Sequence, residues 1–127
     1  SRRFSTNAVQ EAVARLEENQ YLDDAAFARS WRHSRETHRP RSAYLIRREL
    51  LLRGIPTEVA EAAVDGLDDE ACAYRAGQGR VRALKDVDKV TFRRRLGDYL
   101  RRRGFSFNIA NRTVDRVWRE REVNDSA

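Results

Sequence analysis

The sequence predicts an all-α fold, an elongated and curved tandem array of three-helix repeats, on three observations. The first is that the chain says nearly the same thing three times. Ser5 is followed by Ala8, Val9, Ala12, Val13 and Leu16; Gly54-Ile55-Pro56 by Val59, Ala60, Ala63, Val64 and Leu67; Gly104-Phe105-Ser106 by Ile109, Ala110, Thr113, Val114 and Val117. Phe4 and Ile55 are 51 positions apart, Ile55 and Phe105 are 50 apart, and spacing within each copy is kept. Such a period marks helical units that bury their apolar faces by stacking on neighbours. The second observation is apolar recurrence at helical spacing, with no segment alternating like a strand. The third is that only two prolines and six glycines occur, mostly at the expected breaks.

Element by element, Ser5 is placed to cap a helix running to about Glu18, with Val9, Ala12, Val13 and Leu16 on its buried face. Asn19-Gln20-Tyr21 is read as a turn. Asp23 is then the N-cap of a helix to about Thr37, with Phe27 and Trp31 four apart on the buried side. Arg39-Pro40 ends it, because proline disfavours a helical residue before it. Ser42 opens a helix with Leu45, Ile46 and Leu50 inward, stopped by Gly54. Pro56 suits the first turn of a helix ending near Gly66. The plan then repeats. Leu67-Asp68-Asp69 echoes Leu22-Asp23-Asp24 and opens a helix to about Leu84. After a longer connection, Phe92, Leu96, Tyr99 and Leu100 line the next helix, stopped by Gly104, and Ser106 caps the last. The predicted organisation is residues 1–20 as the third helix of a first repeat, 21–67 and 68–121 as complete repeats, and 122–127 as a flexible tail.

Composition narrows the function. Among 127 residues, 36% are charged, and mean hydropathy is -0.81. No apolar stretch approaches the ~20 residues that span a bilayer, and the N-terminus lacks a secretory signal's apolar core. Cys72 is the only cysteine, so no intrachain disulfide or cysteine-based metal site is possible. The chain reads as cytoplasmic, monomeric and without membrane attachment. Its formal net charge is +6, and arginine outnumbers lysine 24 to 2. Residues 1–79 carry 12 basic and 13 acidic side chains, whereas residues 80–121 carry 14 basic and 5 acidic ones. Codon bias could explain the arginine preference, but not why the surplus lies at one end.

Helical geometry places Arg94, Arg95, Arg101 and Arg102 opposite the apolar face of their helix, with Asp98 among them. On the last helix Arg112, Arg116 and Arg119 form one exposed stripe. Like charges at that spacing repel by a few tenths of a kcal/mol, about 0.2–0.5, which favours a surface with an anionic partner over a merely solvated face. The guanidinium fork suits phosphate or carboxylate equally, so nucleic acid and acidic protein both remain open.

Catalytic chemistry is not expected. His33 and His38 are five apart, off the spacing that brings two ligands onto one helical face. Cys72 falls where Phe27 stands one repeat earlier and is read as core. The Asp23-Asp24 and Asp68-Asp69 pairs recur at one structural point and are read as helix caps. Gly77-Gln78-Gly79 is too short for a phosphate loop. No nucleophile, base and oxyanion donor assemble, and no metal or cofactor is implied.

The run Leu16-Glu17-Glu18-Asn19-Gln20-Tyr21-Leu22-Asp23-Asp24, then Phe27-Ala28 and Trp31, resembles the signature of RecX regulatory proteins. So do Ile46-Arg47-Arg48-Glu49-Leu50 leading to Arg53-Gly54-Ile55, and Arg95-Leu96 through Tyr99-Leu100-Arg101-Arg102-Arg103-Gly104-Phe105-Ser106. The resemblance covers about residues 3–120. It departs at Gln20, where the family usually has glycine, which alters the turn, and in a first unit lacking two helices. It implies a modulator of the RecA recombinase that binds in the groove of the RecA–DNA filament and suppresses strand exchange, ATP hydrolysis and co-protease activity, with no cofactor. The alternative is a stand-alone helix-turn-helix-like nucleic-acid-binding protein, and a third reading is an adaptor for another acidic protein.

Overall fold

The computed structural model describes residues 5–126, which form helices and no strand; Arg3 and Phe4, at the start of the first repeat, lie outside them. The first helix, α1, spans Thr6–Thr37 without interruption. Its cap is as expected, the Ser5 hydroxyl accepting the Ala8 N–H at 3.1 Å. The expected turn at Asn19-Gln20-Tyr21 is not formed. All three residues accept helical backbone, and Gln20 Nε2 donates to Asp24 Oδ1 at 3.0 Å, one turn on. Asp23 and Asp24 are therefore helix-interior residues and not caps. Forty-five positions later Gly66 stands in place of Tyr21, at φ +76°, and there the chain does break.

The third helix of one unit and the first helix of the next are thus a single rod. No described element covers its first half. Val9, Val13 and Leu16, expected to be buried, are 49%, 47% and 68% exposed.

The second half of α1 packs with α2 (Ala43–Leu52) and α3 (Thr57–Val64) around Ala28, Ile46, Leu50, Ile55, Val59, Ala60 and Ala63. Trp31 is half-buried, and Phe27 stacks on it at 5.8 Å between ring centroids, but from the rim; Phe27 is 43% exposed rather than buried. Ser42 caps α2 by accepting the Leu45 N–H at 3.0 Å, and Gly54 ends it at φ +86°. Pro56 is the N-cap of α3, just before its first turn. Arg32 closes this unit by donating to the carbonyls of Ala63 and Asp65 at 2.9 and 2.8 Å, orphan acceptors at the C-terminus of α3.

The last unit comprises α4 (Asp69–Arg80), a 3-10 turn (Val81–Leu84), α5 (Lys89–Arg102) and α6 (Phe107–Ser126). Its core joins Cys72, Ala76, Phe92, Leu96, Leu100, Phe105, Val114 and Val117, with Trp118 edge-on to Phe92 at 4.9 Å. The helix expected to reach Leu84 tightens after Arg80 into the 3-10 turn. Gly77 admits α6 so closely that a Cβ there would lie 3.3 Å from Thr113 Cγ2. The segment expected as a tail, residues 122–127, continues α6 to Ser126.

The two units meet at the start of α2. The Ser42 N–H donates to the Arg103 carbonyl at 3.0 Å, the Ala43 N–H donates to Asp69 Oδ1 at 2.9 Å, and Leu67 packs against both cores.

Candidate partner-binding surface

Burial of Phe92, Leu96 and Leu100 forces Arg94, Arg95, Arg101 and Arg102 outward on α5. Burial of Ala110, Thr113, Val114 and Val117 does the same for Arg112, Arg116 and Arg119 on α6. All seven are exposed, but they do not form one ridge. Arg95 and Arg102 line a depression of about 320 Å³ between α5 and the 3-10 turn, together with Arg80, Asp98 and Tyr99. Arg112, Arg116 and Arg119 line another of about 290 Å³ against α4, beside Glu70 and Tyr74. Asp88, the N-cap of α5, accepts the Thr91 N–H at 3.2 Å; its hydrogen bonding to Thr91 holds its carboxyl below the usual range, and the nearby Arg94 adds to this.

Three of the seven already have acidic neighbours. Asp98 pairs with Arg101, one turn on, and not with Arg94 or Arg102. Glu70 pairs with Arg112, and Glu120 with Arg116 at 3.3 Å. Arg116 also lies over the Tyr74 ring at 3.5 Å, and Tyr74 Oη donates to Glu120 Oε2 at 2.5 Å, a bond that raises the phenol's pKa. Such exposed pairs are worth about 0–1 kcal/mol, so a stronger anion can displace them. Arg94, Arg95, Arg102 and Arg119 have no ion pair among the described residues.

A further basic surface was not anticipated. Arg39, Arg75, Arg80 and Arg103 come together with Thr37, Pro40, Gly79 and Tyr99 around a groove of about 570 Å³ between the units. Its only sequence signal is the Arg101-Arg102-Arg103 run; the remaining residues converge through docking of the units, which no single-helix pattern contains.

Cys72 is buried, and burial pushes its thiol up from the ordinary value. His33 and His38 are exposed. Among the described residues no three His, Cys, Asp or Glu side chains gather as a metal site, and no helix is long and apolar enough to cross a membrane.

Residues 23–64, which correspond to the unit of α2, α3 and the second half of α1, match the family model described as RecX, second three-helix domain. A protein named Regulatory protein RecX from Chlorobium limicola is 31% identical over 115 residues, covering 91% of this chain and 72% of the relative. That of Prosthecochloris aestuarii is 32% identical over 114 residues, covering 90% and 75%. The chain belongs to the RecX family of regulatory proteins. The Streptomyces coelicolor member is 31% identical over 122 residues, covering 94% of this chain and 65% of its own length. No solved structure matches. The relatives are named as regulatory proteins, and the family's second three-helix domain is the unit of α2, α3 and the second half of α1.

Proposed function

We propose that this chain binds the RecA–DNA filament and restrains RecA recombinase, ATPase and co-protease activities by occupancy, without chemistry of its own. Membership of the RecX family carries the reading. The charge distribution supports it, since a filament presents repeated negative charge along its length. The exposed arginines of the last unit would supply steering and register, an electrostatic role that shows mainly in association rate and salt dependence. RecA protein is thus the partner, with the DNA inside the filament as a secondary contact and the cytoplasm as the compartment.

The test is co-sedimentation with RecA–DNA filaments together with the filament's ATPase rate. The wild-type chain is expected to co-sediment and to slow hydrolysis. Charge reversal at Arg102 and Arg119, which hold no internal ion pair, is expected to weaken both by at least roughly tenfold at low salt. Full inhibition by that folded double variant would reject the proposed surface. Failure of the wild-type chain to co-sediment would reject the function.

A further inference from the structure

Two helix faces in different parts of the molecule carry exposed apolar side chains beside charge of a single sign. One is the first half of α1. Val9, Val13 and Leu16 stand there at i, i+4 and i+7, all exposed. Asp23 and Asp24 continue the same face about two turns on, and Glu17 flanks it. Residues 6–24 carry five acidic side chains and one basic. None of the five, Glu11, Glu17, Glu18, Asp23 and Asp24, is ion-paired among the described residues.

The other is the solvent side of α5. Val90, Arg94, Gly97 and Arg101 are spaced i, i+4, i+7 and i+11, so they line one face, turned away from the buried Phe92, Leu96 and Leu100. Val90 is 75% exposed and Phe107, at the start of α6, is 62% exposed. The Arg101 guanidinium lies 5.6 Å from the Phe107 ring centroid, which joins that ring to the face. A Cβ on Gly97 would meet nothing within 4 Å, so the middle of the face is a notch that another helix can approach closely. Arg94 has no ion pair among the described residues, and Arg101 has an exposed one with Asp98.

We infer that these faces are the two halves of one interface, through which the first half of α1 in one copy docks on α5 of a second copy. Their charges are opposite and their lengths similar, about 21 Å from Val9 to Asp23 and about 17 Å from Val90 to Arg101. Apolar side chains seat an amphipathic helix, and opposite charges set its register. Pairing α1 with α1 fits less well, because it sets five acidic side chains against five, and like charges across an interface repel. The contact is head-to-tail, so each copy keeps one free face and the assembly extends into short chains. Two helices of this length bury less than the ~1,200 Å² at which stable interfaces begin, so association is weak and dilute protein is monomeric. Arg94 and Arg101 belong to the arginines proposed to meet the filament. A docked copy therefore hides part of that surface, although the interface itself does not depend on RecA.

The experiment is sedimentation velocity of the full chain alone, from about 10 μM to about 1 mM at ~50 mM salt, where surface charges are little screened. The sedimentation coefficient is expected to rise with concentration, and association to weaken at least roughly tenfold at ~500 mM salt. Amide protection at residues 10–22, low in dilute protein, is expected to rise over the same range. Two double variants separate the faces: Val13→Glu with Leu16→Glu, and Arg94→Glu with Arg101→Glu. All four positions are solvent-facing, and unchanged melting separates loss of the interface from loss of the fold. Each variant alone is expected to stay monomeric. Their equimolar mixture is expected to form dimers and nothing larger, because one intact α1 face and one intact α5 face remain. A wild-type chain that stays monomeric at the highest concentration would overturn the inference and leave both faces to other partners. Self-association of the α5 variant alone would overturn it in favour of α1 against α1, and that of the α1 variant alone in favour of α5 against α5.

Discussion

The Asp69 carboxylate of the last unit accepts the Ala43 N–H of the preceding unit, at 2.9 Å, at the first turn of α2. Asp68, its neighbour, caps α4 by accepting the Ala71 N–H at 3.2 Å. Two adjacent acids therefore satisfy the N-termini of two helices in different units, each placing negative charge where the helix dipole favours it. Asp69→Ala is expected to lower stability by about 1 kcal/mol, as loss of a cap does. Asp69→Asn, which keeps an acceptor, is expected to recover most of it. Urea midpoints of the three proteins decide this, and equal midpoints would show that the contact contributes nothing.

Gly54 and Gly104 occupy equivalent points of the two repeats, at φ +86° and +90°, but their surroundings differ. A Cβ on Gly54 would meet open space, whereas one on Gly104 would collide with Ser42 Oγ and lie 2.7 Å from Leu45 Cβ. Gly54→Ala is expected to cost about 1–2 kcal/mol, for the left-handed backbone alone. Gly104→Ala adds overpacking at the unit junction, about 1–3 kcal/mol more. Thermal melting of the pair measures the difference, and an equal loss would mean that the junction yields without cost.

Helix existence, repeat period and the caps at Ser5, Ser42 and Asp68 were legible because each rests on local chemistry. The turn at residues 19–21 was not, because the repeat pattern was carried across from a junction that has Gly66 into one that has no glycine. For the arginines, exposure was legible from helical phase, but partners were not. Arg112 and Glu70 pair across 42 positions, and the inter-unit groove exists only once two units dock. The uncovered half of α1 has a measurable consequence. Helices draw most of their stability from packing, so backbone amides of residues 10–22 are expected to exchange at least roughly 100-fold faster than those of residues 25–36. Uniform protection along the rod would show that its apolar stripe is covered in solution.

Cys72 gives the fold an alkaline limit. Burial, reinforced by Glu36 and Asp69 and opposed by Arg75, raises its thiol above the ordinary value of 9.0. The folded protein thus holds that proton more tightly than the unfolded chain does. The contribution is present in full below pH 9.0 and is lost as pH rises through the raised folded value. Cys72→Ala removes a small core group and starts less stable, yet is expected to lose less stability between pH 8.5 and pH 10.5. Parallel slopes for the two proteins would show that the thiol stays protonated or that another group dominates.

Not all of the positive charge near the C-terminus is available to a partner. The side chain of Arg121 is 15% exposed; it donates to the carbonyls of Leu84, at 2.9 Å, and of Lys85, and its guanidinium lies 4.9 Å from the Trp118 ring centroid. It ties the connection between the 3-10 turn and α5 to α6, using a planar fork that a lysine ammonium does not reproduce. Arg121→Ala is expected to cost about 1.5–3 kcal/mol, the range for hydrogen bonds to a charged group, and Arg121→Lys is expected to restore little of it. Arg119→Ala, two positions away and solvent-facing, is expected to stay within about 0.5 kcal/mol of wild type. Chemical denaturation separates the two, and the contrast sorts arginines that hold the unit together from those free to meet an anion. Equal losses at both positions would erase that distinction, and with it the grounds for assigning Arg119 to a docking surface.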